Sequence, residues 1–138
     1  MISLIIGHKG SGKTKHLIAL VNEAMETSDG NVVCIEKEPL LTYDVNYRVR
    51  LIDTDQYGIC GYDQFFGFLS GVCAGNHDIT DVLIDATLKI GGRDYAALAE
   101  FLKNVDRFIV GSGKKVTFTI SADKDELPAE IFEFCNIL

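Results

Sequence analysis

The sequence has no tryptophan, only two prolines and no apolar run approaching the roughly 20 residues needed to cross a membrane. Basic side chains are also few. The chain has 13 lysines and arginines and 20 aspartates and glutamates, which gives a formal net charge of −7. This charge excludes a general basic surface for duplex nucleic acid or an anionic membrane, and we expect neither as a partner. A local cationic pocket is still compatible with it.

The rest of the composition is that of an ordinary globular protein, with 47% hydrophobic and 24% charged residues. At this length we expect one domain over residues 1–138. The four cysteines form no CxxC pair and have no histidine at ligand spacing, so we expect buried thiols in a reducing cytosol and no structural zinc. Residues 1–6 have no basic flank and too short an apolar run for a secretory signal, which favours the cytoplasm.

Short apolar runs alternate with helical periodicities along the chain. The runs predict strands at residues 2–6, 31–36, 82–84 and 116–120. Helices are predicted from residue 13 to a turn at residues 29–30, over 62–73, and over 95–109 with Asp94 as the N-cap. This alternation predicts an α/β fold, a three-layer sandwich in which a mostly parallel sheet lies between helices.

Two segments are harder to interpret. Between residues 39 and 61, Val45, Tyr47 and Val49 alternate with polar residues and Leu51 and Ile52 are apolar, which predicts one or two short strands. Pro128 is suited to the first residue of a short terminal helix.

The strongest motif is the segment Gly7–Thr14, called the glycine loop below, which fits the pattern G-x-x-x-x-G-K-[ST]. Its glycines allow a tight turn that points successive N–H groups inward, and the helix that follows favours phosphate at its N-terminus. Lys13 is expected to reach the β- and γ-phosphates and the Thr14 hydroxyl to ligate Mg²⁺. The predicted nucleotide-binding residues are Gly7, His8, Lys9, Gly10, Ser11, Gly12, Lys13 and Thr14.

A second motif is the apolar strand 82–84, which ends in Asp85. This strand-end carboxylate lies about 70 residues after the glycine loop; in P-loop proteins, which this pairing resembles, such an Asp holds Mg²⁺ through water, and the same role is expected here beside Thr14.

These two motifs resemble the Walker A and Walker B motifs of P-loop NTPases, most closely of their RecA-like branch, over residues 1–38 and 79–121. The resemblance implies ATP and Mg²⁺ as ligands, Lys13 and Asp85 in the catalytic site, and the strand 116–120 between the first and the Walker B strands. It further implies an acidic water-activating residue after the second strand, for which Glu38 is the first candidate and Glu36 the second. Ser121 stands where this branch has a polar sensor.

Some features depart from that family. Ala86 follows Asp85, so the Asp-Glu pair of many ATPases is absent, and no Asn-Lys-x-Asp guanine motif occurs. Arginines that assist phosphoryl transfer act in cis or in trans, and Arg93 is the candidate because it follows the Walker B strand closely.

Three functions are therefore open. The first is a slow ATPase stimulated by a protein partner or by self-assembly. The second is a nucleoside or nucleotide kinase, since short thymidine kinases have a similar loop-helix-strand opening. The third is a nucleotide sensor that does not hydrolyse its ligand.

Overall fold

The computed structural model describes all 138 residues, which form six strands and four α-helices. Three short 3-10 segments lie at Asp55–Tyr57, Lys124–Glu126 and Ala129–Glu133. In chain order the strands and helices are β1 (Ile2–Ile6), α1 (Lys13–Thr27), β2 (Asn31–Glu36), β3 (Arg50–Asp53), α2 (Tyr62–Gly75), β4 (Ile79–Ile84), α3 (Thr87–Gly91), α4 (Tyr95–Ile109), β5 (Lys115–Ile120) and β6 (Cys135–Ile137).

The strands form one parallel sheet in the order β3-β2-β4-β5-β1-β6. Strand β5 therefore lies between β1 and β4, which confirms the predicted position of the strand at 116–120. Because every strand runs in the same direction, the loops that follow β1, β2, β4 and β5 emerge at one edge of the sheet. Ligands of open parallel sheets bind outside this edge.

The helices pack on both faces of the sheet. On one face, Leu17 and Val21 of α1 are buried against a small apolar cluster that includes Ile5 and Cys34. On the other face, α2, α3 and α4 cover the larger core, in which Phe65 and Phe118 are fully buried. The arrangement is an α/β fold with a six-stranded parallel sheet and is compatible with a three-layer sandwich.

The predicted Asp94 N-cap is confirmed, because its carboxylate accepts hydrogen bonds from the N–H groups of Ala96 and Ala97, each at 3.1 Å. This satisfies two of the free donors in the first turn of α4. None of the four helices has the length and the apolar character required to span a bilayer.

One of the short strands predicted within residues 39–61 is present as β3, which contains Leu51 and Ile52 and pairs with β2, whereas the alternation at residues 45–49 is a loop. Val45 and Val49 are buried, whereas the Tyr47 side chain is almost fully exposed. The Asn22 side chain of α1 holds this loop, because its Oδ1 accepts the Asn46 N–H at 2.8 Å and its Nδ2 donates to the Asp44 carbonyl at 3.1 Å. Burial of Val45 and Val49 beside α1 thus gives this segment a period of two, although it makes no strand-pairing hydrogen bonds.

The chain's C-terminal segment also differs from the prediction. Pro128 caps a 3-10 segment at Ala129–Glu133 and is not the first residue of an α-helix. The chain then adds β6, which was not predicted, to the sheet beside β1. This strand has only three residues, and so short a segment does not reveal a period of two.

Candidate functional site

The glycine loop joins β1 to α1 and depends on three glycine conformations. Gly10 and Gly12 have φ angles of 86° and 87°, a region that other residues rarely adopt. Gly7 faces a different constraint, because a Cβ at this position would lie 2.6 Å from Ser11 Oγ. The turn therefore requires glycine at positions 10 and 12, whereas a side chain at position 7 would first require the Ser11 hydroxyl to rotate away.

The loop leaves backbone donors free at the start of α1. The first hydrogen bond of the helix runs from the His16 N–H to the Gly12 carbonyl at 3.1 Å. The N–H groups of Gly12, Lys13, Thr14 and Lys15 donate to no acceptor within the chain. Such groups, together with the helix dipole, make a helix N-terminus attractive to an anion.

The Lys13 side chain folds back over this loop. Its Nζ donates to the His8 carbonyl at 2.9 Å. Partial burial lowers the pKa of Lys13, and the nearby Asp85 carboxylate opposes this shift by raising it. A lysine held in this way places one positive charge beside the free N–H groups.

Asp85 follows β4 and is connected to two threonines. The Thr14 hydroxyl donates to Asp85 Oδ2 at 3.1 Å, across 71 positions of sequence. The Thr119 hydroxyl of β5 donates to Asp85 Oδ1 at 2.6 Å, and its oxygen accepts the Ala86 N–H at 2.8 Å. The carboxylate is therefore held between the start of α1 and the neighbouring strand.

Glu36 and Glu38 differ in their surroundings. Glu36 ends β2 and is only 3% exposed. Its Oε1 accepts the N–H groups of Leu40 and Leu41 at 2.8 and 3.2 Å, whereas its buried Oε2 has no partner. Burial is the main cause that raises the pKa of Glu36, and the Asp53 and Asp85 carboxylates add to it, against the lowering effect of the two N–H bonds. Glu38 lies in the exposed bend after the strand.

A cleft of about 660 Å³ opens where these elements meet. Six of the 13 lysines and arginines line it, against three carboxylates, so the cleft is positive in a chain of net charge −7. The basic residues are Lys9, Lys13, Lys15, Lys37, Lys89 and Arg93, and the acidic ones are Glu36, Glu38 and Asp85.

Most of the residues singled out in the sequence lie in this cleft. From the glycine loop, Lys9, Gly10, Gly12, Lys13 and Thr14 line it. Gly7, His8 and Ser11 do not; their contribution is the turn itself and the carbonyl that holds Lys13.

Ser121 also lines the cleft, but the hydroxyl bonded to Asp85 belongs to Thr119, which the sequence reasoning missed. A signal was available, because Thr117 and Thr119 alternate with the apolar residues of β5. In a strand packed on both faces, hydroxyls at a period of two indicate a polar strip on one face. Lys89, Leu40 and Leu41 also line the cleft and were missed as well, since no motif marks the segments that carry them.

Neither the models of known protein families nor the curated proteins match this sequence.

Proposed function

We propose that this chain is a nucleotide-binding protein of the P-loop NTPase type. It binds MgATP in the cleft and hydrolyses it slowly, or faster when a protein partner or a second copy stimulates it. One observation carries the proposal: free N–H groups at the start of α1, the Lys13 ammonium and the Thr14–Asp85 pair lie side by side in one cleft. Together they provide donors for phosphate oxygens and oxygen ligands for a divalent cation.

The sheet order supports the same proposal. Strand β5 separates β1, which leads into the glycine loop, from β4, which ends at Asp85. This order was expected from the resemblance to the RecA-like branch. It brings two motifs far apart in sequence to the same edge of the sheet.

The residues present fit a magnesium ion. Thr14 Oγ1 and the Asp85 carboxylate provide hard oxygen ligands 3.1 Å apart. No cluster of three or more histidine, cysteine, aspartate or glutamate side chains forms a metal cage. Mg²⁺ usually takes one or two protein ligands and completes its shell with phosphate oxygens and water, so a sparse set is appropriate. When bound, the ion would neutralise charge on the phosphates.

The same geometry suggests how water would be activated. Both Glu36 and Glu38 line the cleft, and Glu38 was the first candidate from the sequence. The unpartnered Oε2 of Glu36 now favours Glu36, because Oε1 is already held by two N–H groups; Oε2 is buried, so this role requires the Glu36 side chain to turn into the cleft when nucleotide binds. A raised pKa also suits a general base, since its proton affinity is closer to that needed near neutral pH.

Thermal unfolding with MgATP, MgADP and MgGTP tests nucleotide binding. At about 100 times its Kd a ligand adds about 2.7 kcal/mol, which raises the Tm by several degrees. We expect this shift in the wild type and its loss in Lys13→Ala. Lys124→Ala, which lies outside the cleft, is the matched control. The absence of a shift with any nucleotide in the wild type would overturn the proposal.

Phosphate release then separates the activities. We expect release from MgATP by the wild type, a strong decrease in Glu36→Gln and a smaller one in Glu38→Gln; the reverse order would restore Glu38 as the base. Transfer of labelled phosphate to a nucleoside panel would indicate a kinase. ATP that is bound but remains intact over hours would indicate a sensor.

A further inference from the structure

A second cavity, called the α1 cavity below, lies under the C-terminal half of α1, towards the edge of the sheet opposite the cleft. Its volume is about 380 Å³, within the range of small-molecule sites. Side chains of β1, β4 and β5 form its floor, and its apolar lining includes Leu20, Ala24 and Leu83. It shares no lining residue with the nucleotide cleft, so it is a separate place on the molecule.

Two hydroxyls on neighbouring strands face the α1 cavity. Thr117 of β5 and Ser3 of β1 are register partners, so their side chains lie side by side on the α1 face of the sheet. Thr117 is only 8% exposed, yet its hydroxyl makes no hydrogen bond within the chain. The Ser3 hydroxyl makes none either. Because buried polar groups are normally hydrogen-bonded, these hydroxyls are available to a ligand that enters the cavity.

Charged side chains of both signs stand beside the hydroxyls. Lys115 lies two residues before Thr117 on the same face of β5, and its register partner on β4 is Asp81. Neither Lys115 nor Asp81 forms an ion pair within the chain. Asp81 Oδ1 accepts the Thr80 hydroxyl at 2.7 Å, which leaves Oδ2 open. Glu23 adds a second carboxylate from α1.

These groups indicate the chemistry of the ligand. Neighbouring strands lie about 4.8 Å apart, so Lys115 and Asp81 present a cation and a carboxylate next to each other. A free α-amino acid has the complementary pair, a carboxylate and an ammonium on one carbon. Hydroxyls can donate to the carboxylate, and the apolar lining favours burial of an aliphatic side chain.

We propose that the α1 cavity binds a free aliphatic α-amino acid. Lys115 and the Thr117 hydroxyl bind its carboxylate, and Asp81 binds its ammonium. The aliphatic side chain lies against Leu20 and Leu83. This site is independent of the proposed nucleotide function and gives the chain a second ligand of a different chemical class.

NMR titration of the isotope-labelled chain with L-leucine tests this binding directly. We expect saturable shifts of the amide signals of Ser3, Asp81 and Thr117. Two analogues each remove one charge of leucine: isocaproate lacks the ammonium, and isopentylamine lacks the carboxylate. Each analogue should bind about 10- to 100-fold more weakly, the effect of a lost charged hydrogen bond.

Three variants test the assigned side chains. Asp81→Asn and Lys115→Gln should each weaken leucine binding by about 10-fold or more. Thr117→Val should weaken it by about 3- to 10-fold, the effect of one neutral hydrogen bond. Asp78→Asn is the matched control, because it removes the same charge from an exposed position outside the cavity. The amide spectrum of each variant without ligand shows that it is folded.

The proposal is overturned if leucine, isoleucine, valine and methionine cause no saturable shift at the cavity up to about 10 mM, a concentration that nearly saturates a site with a Kd of about 1 mM. Analogues that bind as tightly as leucine would also overturn it, as would unchanged affinity in the three variants or an equal loss in Asp78→Asn. A chain that binds leucine but no nucleotide would refute the proposed function and leave this inference standing. The converse result would refute this inference alone.

Discussion

The Thr119 hydroxyl donates to Asp85 Oδ1 at 2.6 Å while its oxygen accepts the Ala86 N–H at 2.8 Å. One side chain therefore fixes the orientation of the carboxylate and the backbone turn that follows it. Thr14 approaches the other carboxylate oxygen from α1. The position of Asp85 consequently depends on β5 as much as on β4, the strand that carries it.

The first prediction concerns this bridge. Thr119→Val keeps the shape of the side chain but leaves the Ala86 N–H without an acceptor. We expect the free energy of unfolding to fall by about 1–2 kcal/mol, the cost of a donor left unsatisfied. Thr117→Val is the matched control, because Thr117 is buried on the same strand and its hydroxyl makes no hydrogen bond within the chain. Urea denaturation measures both, and equal losses would contradict the bridging role.

The second prediction uses the raised pKa of Glu36, which burial causes. The folded protein holds the Glu36 proton more tightly than the unfolded chain does. The stability that this proton contributes is therefore fully present below the pKa of the unfolded chain, about 4.3, and is lost as pH rises through the pKa of the folded protein. Glu36→Gln cannot ionise. We therefore expect the stability of Glu36→Gln relative to the wild type to increase from about pH 4 to pH 7.

Urea denaturation of both proteins at several pH values measures this difference in stability. The other carboxylates titrate in both proteins, so their contributions cancel. Glu38→Gln is the control for removing one negative charge at an exposed position two residues away. The prediction is wrong if the difference for Glu36→Gln is flat, or if Glu38→Gln shows a dependence of the same size.

Strong periodic patterns and one motif predicted much of this molecule. The strands at β1, β2, β4 and β5 and the helices α1, α2 and α4 appear where the apolar periods indicated, and the glycine loop lies between a strand and a helix. Asp85 was identified because a carboxylate ends an apolar strand. These signals are local, so a single sequence contains them.

The missed features depend on contacts that are distant in sequence. Thr119 matters only because β5 lies beside β4, and Lys89 matters only because α3 lines the cleft that the glycine loop also lines. The loop at 45–49 was predicted as a strand because burial of Val45 and Val49 on α1 produces the same period as a ladder. Such relationships need the tertiary structure.

The third prediction concerns Ala86, the chain's one non-glycine residue with a positive φ, at 57°. An L-residue in this region costs roughly 1–2 kcal/mol, and part of that strain is relieved when the Cβ is removed. Glycine has more freedom than alanine in the unfolded chain, and this offsets part of the gain. We therefore expect Ala86→Gly to raise the free energy of unfolding by no more than about 1 kcal/mol.

Ala19→Gly, at an exposed position in the middle of α1, is the matched control for the same chemical change. There the backbone is helical, so we expect a loss of about 1 kcal/mol. Opposite signs in the two urea titrations would support the strain at Ala86. A loss of stability in both variants would contradict it and would mean that the Ala86 methyl group contributes packing that outweighs the backbone strain.

The fourth prediction concerns Gly91, which ends α3 beneath the ring of Tyr62. A Cβ at position 91 would overlap that ring, and the backbone there has no unusual φ, so the constraint is one of space alone. In Gly91→Ala the ring must move, which strains its hydrogen bond from the hydroxyl to the Gly92 carbonyl. We expect a loss of about 1–3 kcal/mol, typical of overpacking in a core.

Gly67→Ala provides the contrast, because Gly67 is an exposed glycine inside α2 with open space around its Cα. Alanine there should raise the free energy of unfolding by about 0.5–1 kcal/mol through its higher helix propensity. Calorimetry of the two variants tests the pair. If Gly91→Ala is as stable as the wild type, the Tyr62 ring has room to move. The segment that carries Lys89 and Arg93 would then be less rigidly held than the Tyr62–Gly92 and Thr119–Ala86 hydrogen bonds indicate.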